Sequence, residues 1–130
     1  MTYLLDTNAC IDFIRDIGNT RVRMKSKSFS EFCISSIVVA ELMHGAKNSP
    51  NSDKHVSATR NFCQKFTIVN FDESAAATFG DIRSQLDRDG LPIGAYDMLI
   101  AAHAKSLGLV CVTNDKGFRH VNGLAVEDWR

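Results

Sequence analysis

Short apolar runs punctuate this chain at four places. TYLL (2–5), FCIS (32–35), FTIV (66–69) and LVCVT (109–113) are continuous and do not alternate with polar residues. Runs of this kind suit strands covered on both faces, as in a parallel sheet. Between them the spacing changes to a helical period. Cys10, Phe13, Ile14 and Ile17 recur at i, i+3, i+4 and i+7, and Val56, Thr59, Phe62, Cys63 and Phe66 form a second stripe behind the polar loop NSPNSD (48–53). Ala75, Phe79, Ile82 and Leu86 make a third, with Asp72 placed as its N-cap, and SSIVVAELMHG reads as a helix that Ser36 can cap. Strands alternating with helices predict an α/β layer fold with right-handed crossovers. No repeat, low-complexity tract or linker divides residues 1–130, so one domain is expected.

The stretch PIGAYDMLIAAHA (92–104) opens another helix, and it breaks the pattern. Asp97 shares a face with Ile93, Gly94, Ile100, Ala101 and Ala104. Glu41 repeats the anomaly, with Ile37, Val38 and Gly45 as its neighbours on the helix. Asp6 ends the first apolar run, in LLDTN, and Asp115 follows the last one, in TND. In a parallel sheet the carboxyl ends of strands share one edge, where ligand crevices form, so acids at two strand ends can converge. Unpaired buried charges cost several kcal/mol, roughly, unless a partner or a cation neutralises them. Mg2+ prefers hard oxygen ligands and is held by carboxylates together with substrate phosphate, which points to phosphodiester hydrolysis without a covalent protein intermediate. Each acid also has a plain structural reading. Asp6 can cap the first helix, Asp115 can serve a turn, and Glu41 and Asp97 can pair with arginines such as Arg15 or Arg83. Asp12, Asp16, Asp53, Asp81, Asp87 and Asp89 fall on polar faces or loops and are expected to be solvated.

Composition narrows the setting. Among 130 residues, 45% are hydrophobic and 23% charged, which suits a globular fold, and the formal net charge of +0 neither demands nor excludes a nucleic-acid partner. No apolar run approaches the ~18 residues of a membrane span, and MTYLLDTN has no basic region, so a cytoplasmic protein is expected. Cys10, Cys33, Cys63 and Cys111 form no C-x-x-C pair and read as buried, reduced thiols.

At these residues the sequence resembles the PIN-domain nucleases, and more closely the VapC toxins of bacterial toxin–antitoxin pairs. The resemblance runs through LLDTN (4–8), ISS and AELMHGA (34–46), GLPIGAYDMLIAAHA (90–104), VTND (112–115) and VEDW (126–129). It implies a three-layer α/β/α sandwich around a mainly parallel sheet and an endoribonuclease dependent on Mg2+, for which Mn2+ substitutes. It also implies inhibition by a small VapB-like antitoxin, and a homodimer that assembles further with that antitoxin. Asp6, Glu41 and Asp97 sit where the family places its three core acids, and Asp115 fits the fourth, more variable position. Many relatives carry an acid directly before a phenylalanine there, whereas here Gly117 precedes Phe118. Members with the GxPIGxxD run cut initiator tRNA in its anticodon stem-loop, which makes tRNA the implied substrate.

Other residues have supporting roles to test. Thr7, Asn8, Ser36, Thr113 and Asn114 carry short polar side chains suited to orienting carboxylates, though strand-end capping explains them nearly as well. Arg15, Lys47, Arg83, Arg88, Lys116 and Arg119 lie close in sequence to the motifs and are candidates to grip RNA phosphates, or ordinary surface charges. The run RVRMKSK (21–27) offers RNA, an acidic antitoxin segment or plain water a basic helix face. His44 and His103 have no visible nucleophile–base partner and read as structural. Two competing readings remain at this point. One is a PIN nuclease for ribosomal RNA, messenger RNA or DNA without a toxin role; the other is a phospho-receiver-like signalling module, for which Asp72 is the only acid after the third strand.

Overall fold

A strand whose two faces both need covering must lie inside a sheet, and Leu4 and Leu5 meet that condition with no exposed surface. In the computed structural model, which describes residues 1–130, they belong to β1 (Tyr3–Leu5), the central strand of a five-stranded sheet ordered β3-β2-β1-β4-β5. The others are β2 (Phe32–Ser35), β3 (Thr67–Val69), β4 (Val110–Val112) and β5 (Val126–Glu127), and every pairing is parallel. Leu4 pairs with Cys33 on one side and Cys111 on the other, and Leu5 pairs with Val112, so β1, β2 and β4 end nearly level.

Parallel neighbours require crossovers, and helices supply them. After β1 come α1 (Thr7–Arg15) and α2 (Thr20–Lys25); after β2, α3 (Ser36–Lys47) and α4 (Ser52–Cys63); after β3, α5 (Glu73–Asp89) and α6 (Ala95–Ser106). The chain moves outward from β1 through β2 to β3, then returns past β1 to β4 and β5. Right-handed crossovers in opposite directions place their helices on opposite faces. Accordingly α1 packs on α2 and α3, and α3 on α4, while α5 pairs with α6. This is the expected α/β/α sandwich, and the reversal between β1 and β4 creates a topological switch point. One core runs through it, with Phe13, Phe62 and Phe66 packed ring against ring on one side of the sheet.

Several expectations need correction. The first stripe overruns its helix: Asp16, in the left-handed region at φ 55°, ends α1, so Ile17 lies beyond it, and Phe66 likewise follows α4. Apolar packing continues past the helix end because the next loop folds back on the core. Thr67 and Ile68 in β3 are exposed, since β3 is an edge strand with only β2 beside it. Ser35, not Ser36, caps α3, its hydroxyl accepting from Ile37 N at 3.1 Å. Asp12 is not solvated: it is 3% exposed and paired with Arg130 at 3.4 Å. Arg21 is likewise drawn inward from the basic run, donating to the carbonyls of Phe13 and Ile14 and lying over the Phe13 ring. All four cysteines are buried and unpaired. No helix is long and apolar enough to cross a membrane.

Asp72 caps α5 as its sequence position suggests, accepting from Ala75 N at 2.9 Å. Asp72→Ala is expected to cost about 1 kcal/mol of folding stability, read as a lower urea midpoint with an unchanged m-value.

A candidate acidic metal site at the switch point

The strand order decides which acids meet. Asp6 leaves the end of β1, and its backbone N–H donates to the Val112 carbonyl of the adjacent β4. That places it beside Thr113 and the segment leading to Asp115, on the carboxyl edge at the switch point. Asp6 is the N-cap of α1, its Oδ1 accepting from Ala9 N at 2.7 Å, and it is only 3% exposed. Its capping role is therefore real and occupies one oxygen. Burial pushes its carboxyl up to about 6; the Thr113 hydroxyl and the Ala9 N–H oppose that rise, and the charges of Asp97 and Asp115 add to it.

Asp97 stands in the first turn of α6, not in the helix middle. The helix N-terminus favours a negative charge, yet this carboxyl too is pushed up to about 6. Burial is the largest cause, followed by the charge and close side chain of Asp115 and the charge of Glu41. Glu41, half-buried on α3, accepts from the Thr7 hydroxyl at 2.6 Å. Asp115 caps a single 3-10 turn, its Oδ1 accepting from Gly117 N at 2.9 Å, and its own N–H donates to the Thr113 hydroxyl at 3.0 Å. Asp6 thus feels the charges of Asp97 and Asp115, and Asp97 those of Asp115 and Glu41. None pairs with a cation, because the ion pairs of the molecule are Arg21–Asp16 and Arg130–Asp12. The alternative in which arginines neutralise Glu41 and Asp97 does not hold.

Two glycines border these acids. A Cβ at Gly94 would come within 3.3 Å of Asp97 Oδ2, and one at Gly117 would stand 2.8 Å from Ile93 Cγ2. A side chain before Phe118 would collide with Ile93 here, which gives a steric reason for the absence of an acid at that position.

The donor set suits a hard divalent cation: oxygen ligands only, clustered negative charge, no basic partner, and two carboxyls raised partly by mutual repulsion. No three His, Cys, Asp or Glu side chains form a ready-made metal cage. Glu41, Asp97 and Asp115 are each half-buried, whereas Asp6 is buried.

The supporting residues divide. Thr7 and Thr113 touch site carboxylates, whereas the Ser36 hydroxyl accepts from Phe71 N at 3.1 Å and serves the start of the β3–α5 connection. Asn8 is exposed and Asn114 half-buried, and neither side chain makes a hydrogen bond. Arg15, Lys47, Arg83, Arg88, Lys116 and Arg119 are all exposed and outside any ion pair. Two of them stand at the far ends of helices whose other residues border the site. Arg15 ends α1, roughly 12 Å along the helix from the end that Asp6 caps, and Lys47 ends α3, roughly 9 Å of rise beyond Glu41. Lys116 directly follows Asp115, and Arg119 shares its turn. His44 is exposed beside Asn48. His103 is buried and bonded to Ser35, a residue the sequence pattern did not single out; the only signal was a pair of serines before a helix.

Raised carboxyl pKa values have a consequence for stability. Between the ordinary value of 3.8 and about 6 the folded chain binds more protons than the unfolded one, so these groups weaken folding as pH rises through that window. Without added metal, Asp6→Asn keeps a capping oxygen and removes a buried charge. It should gain on the order of 1–2 kcal/mol at pH 8, a few degrees in Tm, with the gain shrinking toward zero near pH 4. Asp97→Asn, more open to solvent, should gain less. Thermal melts across pH measure both.

Comparison with known proteins matches this geometry. A profile of the PIN domain matches residues 3–124. The chain is 37% identical to the tRNA(fMet)-specific endonuclease VapC of Salmonella typhimurium, covering 99% of this chain and 98% of that one. It superposes on the structure of DNA-bound VapBC from Salmonella typhimurium with a TM-score of 0.94 at 37% identity, over 100% of this chain and 99% of that one. On VapBC2 from Rickettsia felis, bound to a DNA fragment from its promoter, the TM-score is 0.92 at 31% identity, with both chains fully covered. The phospho-receiver reading is set aside, since Asp72 serves only as a helix cap. Acids gathered at the β1–β4 switch point of a five-stranded parallel sheet, in a chain that aligns end to end with these relatives, place it in the PIN-domain family and, within that family, among the VapC toxins.

Proposed function

We propose that the protein is a metal-dependent endoribonuclease acting as the toxin of a VapBC-type pair, and that its substrate is a tRNA, with the initiator tRNA anticodon stem-loop favoured. The observation that carries this reading is the convergence of Asp6, Asp97, Asp115 and Glu41 on one edge of the sheet with no basic residue to neutralise them. The Salmonella typhimurium relative, named as tRNA(fMet)-specific, supports the choice of substrate.

In this reading Asp6, Glu41 and Asp97, joined by Asp115, hold one or two Mg2+ ions, with Mn2+ able to substitute. The ion supplies Lewis-acid polarisation of the phosphate and an activated water. The chain's own contribution is placement. Thr7 fixes Glu41, and Ala9 N–H fixes one Asp6 oxygen, so the remaining oxygens are presented in defined directions. A neighbouring carboxylate of this group would take the proton from the water that the ion activates. Thr113 restrains both Asp6 and the Asp115 segment. Lys116 and Arg119, beside Asp115 and free of ion pairs, are the basic residues placed to bind flanking phosphates, with Arg83 and Arg88 further along the RNA. Arg15 and Lys47, at the far ends of their helices, reach only a longer RNA.

The proposed partner is a short VapB-like antitoxin that masks the acids with a cationic side chain. Arginine suits this because its planar fork matches carboxylates bidentately. A homodimer, joined with antitoxin into a larger assembly in the cytoplasm, completes the picture. The VapBC complexes of Salmonella typhimurium and Rickettsia felis, both solved with DNA, support such a partner.

Incubation of the wild type and Asp6→Ala with total tRNA and Mg2+ tests the activity. The wild type should cut one tRNA, leaving a 5′-phosphate and a 3′-hydroxyl. Asp6→Ala should be slower by about 100-fold or more, and chelation by EDTA should stop the wild type, as expected if the ion supplies several kcal/mol. A 2′,3′-cyclic phosphate would show that the RNA's own 2′-OH attacks, contrary to this scheme. Selective cleavage of ribosomal or messenger RNA with every tRNA intact would redirect the substrate. Arginine-to-alanine replacement in the cognate antitoxin should restore cleavage by the complex.

A further inference from the structure

His103 has no place in the chemistry described above, yet it is 1% exposed on α6 and its Nε2 has no hydrogen-bond partner. Its Nδ1 lies 2.8 Å from the Ser35 hydroxyl, and the Phe71 ring meets the imidazole edge-on with centroids 5.4 Å apart. Burial lowers the pKa of the ring, with Asp72 opposing, so it stays neutral near pH 7. Whichever nitrogen carries the proton, one buried ring nitrogen is left unsatisfied, at a cost that an apolar side chain of similar size would not incur.

Ser35 explains what the imidazole gains. The same hydroxyl that contacts His103 accepts from Ile37 N and fixes the first turn of α3. One oxygen therefore joins the start of α3 to the body of α6. Glu41 lies six residues from Ser35 on α3, and Asp97 lies six residues from His103 on α6. The two helices also pack on each other, and Asp97 feels the charge of Glu41. We infer that the Ser35–His103 hydrogen bond is a latch that sets the spacing of Glu41 and Asp97, making His103 a positioning residue for the acidic site. The inference rests on the metal-site reading of those acids.

The test measures Mn2+ binding to the purified full chain by calorimetry, together with kcat, KM and thermal stability. His103→Leu fills similar volume without either ring nitrogen. It should fold with a Tm equal to or above that of the wild type, while Mn2+ affinity falls by about tenfold or more, as loss of a residue that orients metal ligands does. At saturating Mn2+, kcat should fall with KM little changed. His103→Asn sets its amide near the position of Nδ1 and should restore Mn2+ affinity to within about threefold of wild type on the same scale. Ser35→Gly removes the hydroxyl but retains an acceptable N-cap residue. It should match His103→Leu, and the double variant should lose no more than either single one. If His103→Leu does not fold, Ser35→Gly decides the matter alone.

Unchanged Mn2+ affinity in the folded variants overturns the latch while leaving the metal site standing. Equal losses in His103→Leu and His103→Asn also overturn it. A wild type that binds no Mn2+, or an Asp97→Asn variant that binds it as well as wild type, overturns the metal reading itself and the latch with it.

Discussion

Burial of carboxylates at the switch point, with like charge beside them, is the constraint on which the other features depend. β1 lies at the centre of a parallel sheet, so its last residue cannot avoid the crevice where the chain reverses toward β4. Placing Asp6 there costs hydration, and Asp97 and Asp115 add like charge. The chain compensates locally, through Ala9 N–H, the Thr113 hydroxyl and the N-terminus of α6, but brings no arginine or lysine into contact. A protein selected for stability alone would put a cation or an apolar side chain there. In the proposed reading, the unbalanced charge is what a divalent ion, and through it phosphate, would meet.

The neighbourhood is built to preserve that imbalance. Gly94 and Gly117 keep side chains away from Asp97 and Ile93, where a Cβ would stand 3.3 and 2.8 Å from the nearest atoms. Thr7 orients Glu41 without neutralising it. The ion pair between buried Asp12 and exposed Arg130 lies elsewhere and fastens the last residue onto α1. His103, buried with an unsatisfied Nε2, bonds Ser35 at the start of α3 without adding charge there.

How far the chain discloses this depends on which physical signal each residue carries. The runs at β1, β2 and β4 were legible because burial on both faces leaves a continuous apolar stretch. β3 gave the same signal though Thr67 and Ile68 are exposed, because composition does not distinguish an edge strand from a central one. β5 has two residues, too few for any period to register. Asp6, Glu41, Asp97 and Asp115 stood out as carboxylates at strand ends or on apolar faces, and the sheet order then brings them to one edge. Asp12 carried no such mark, since its partner Arg130 is 118 positions away in the sequence. Ser35 and Ser36 could not be told apart, because which of two adjacent hydroxyls caps a helix is set by a single backbone rotation. Arg15 and Lys47 stand at the last residues of α1 and α3, so sequence nearness alone does not fix how far they lie from the acids.

The central claim is that these acids share a divalent ion. Anomalous scattering from crystals of the chain soaked in Mn2+, collected at the manganese edge, tests it most directly. The account predicts a peak at the β1–β4 switch point, within bonding distance of carboxylate oxygens from Asp6 and Asp97 and joined by Glu41 or Asp115. A peak elsewhere on the surface, or none while the acids remain accessible in the lattice, would contradict it.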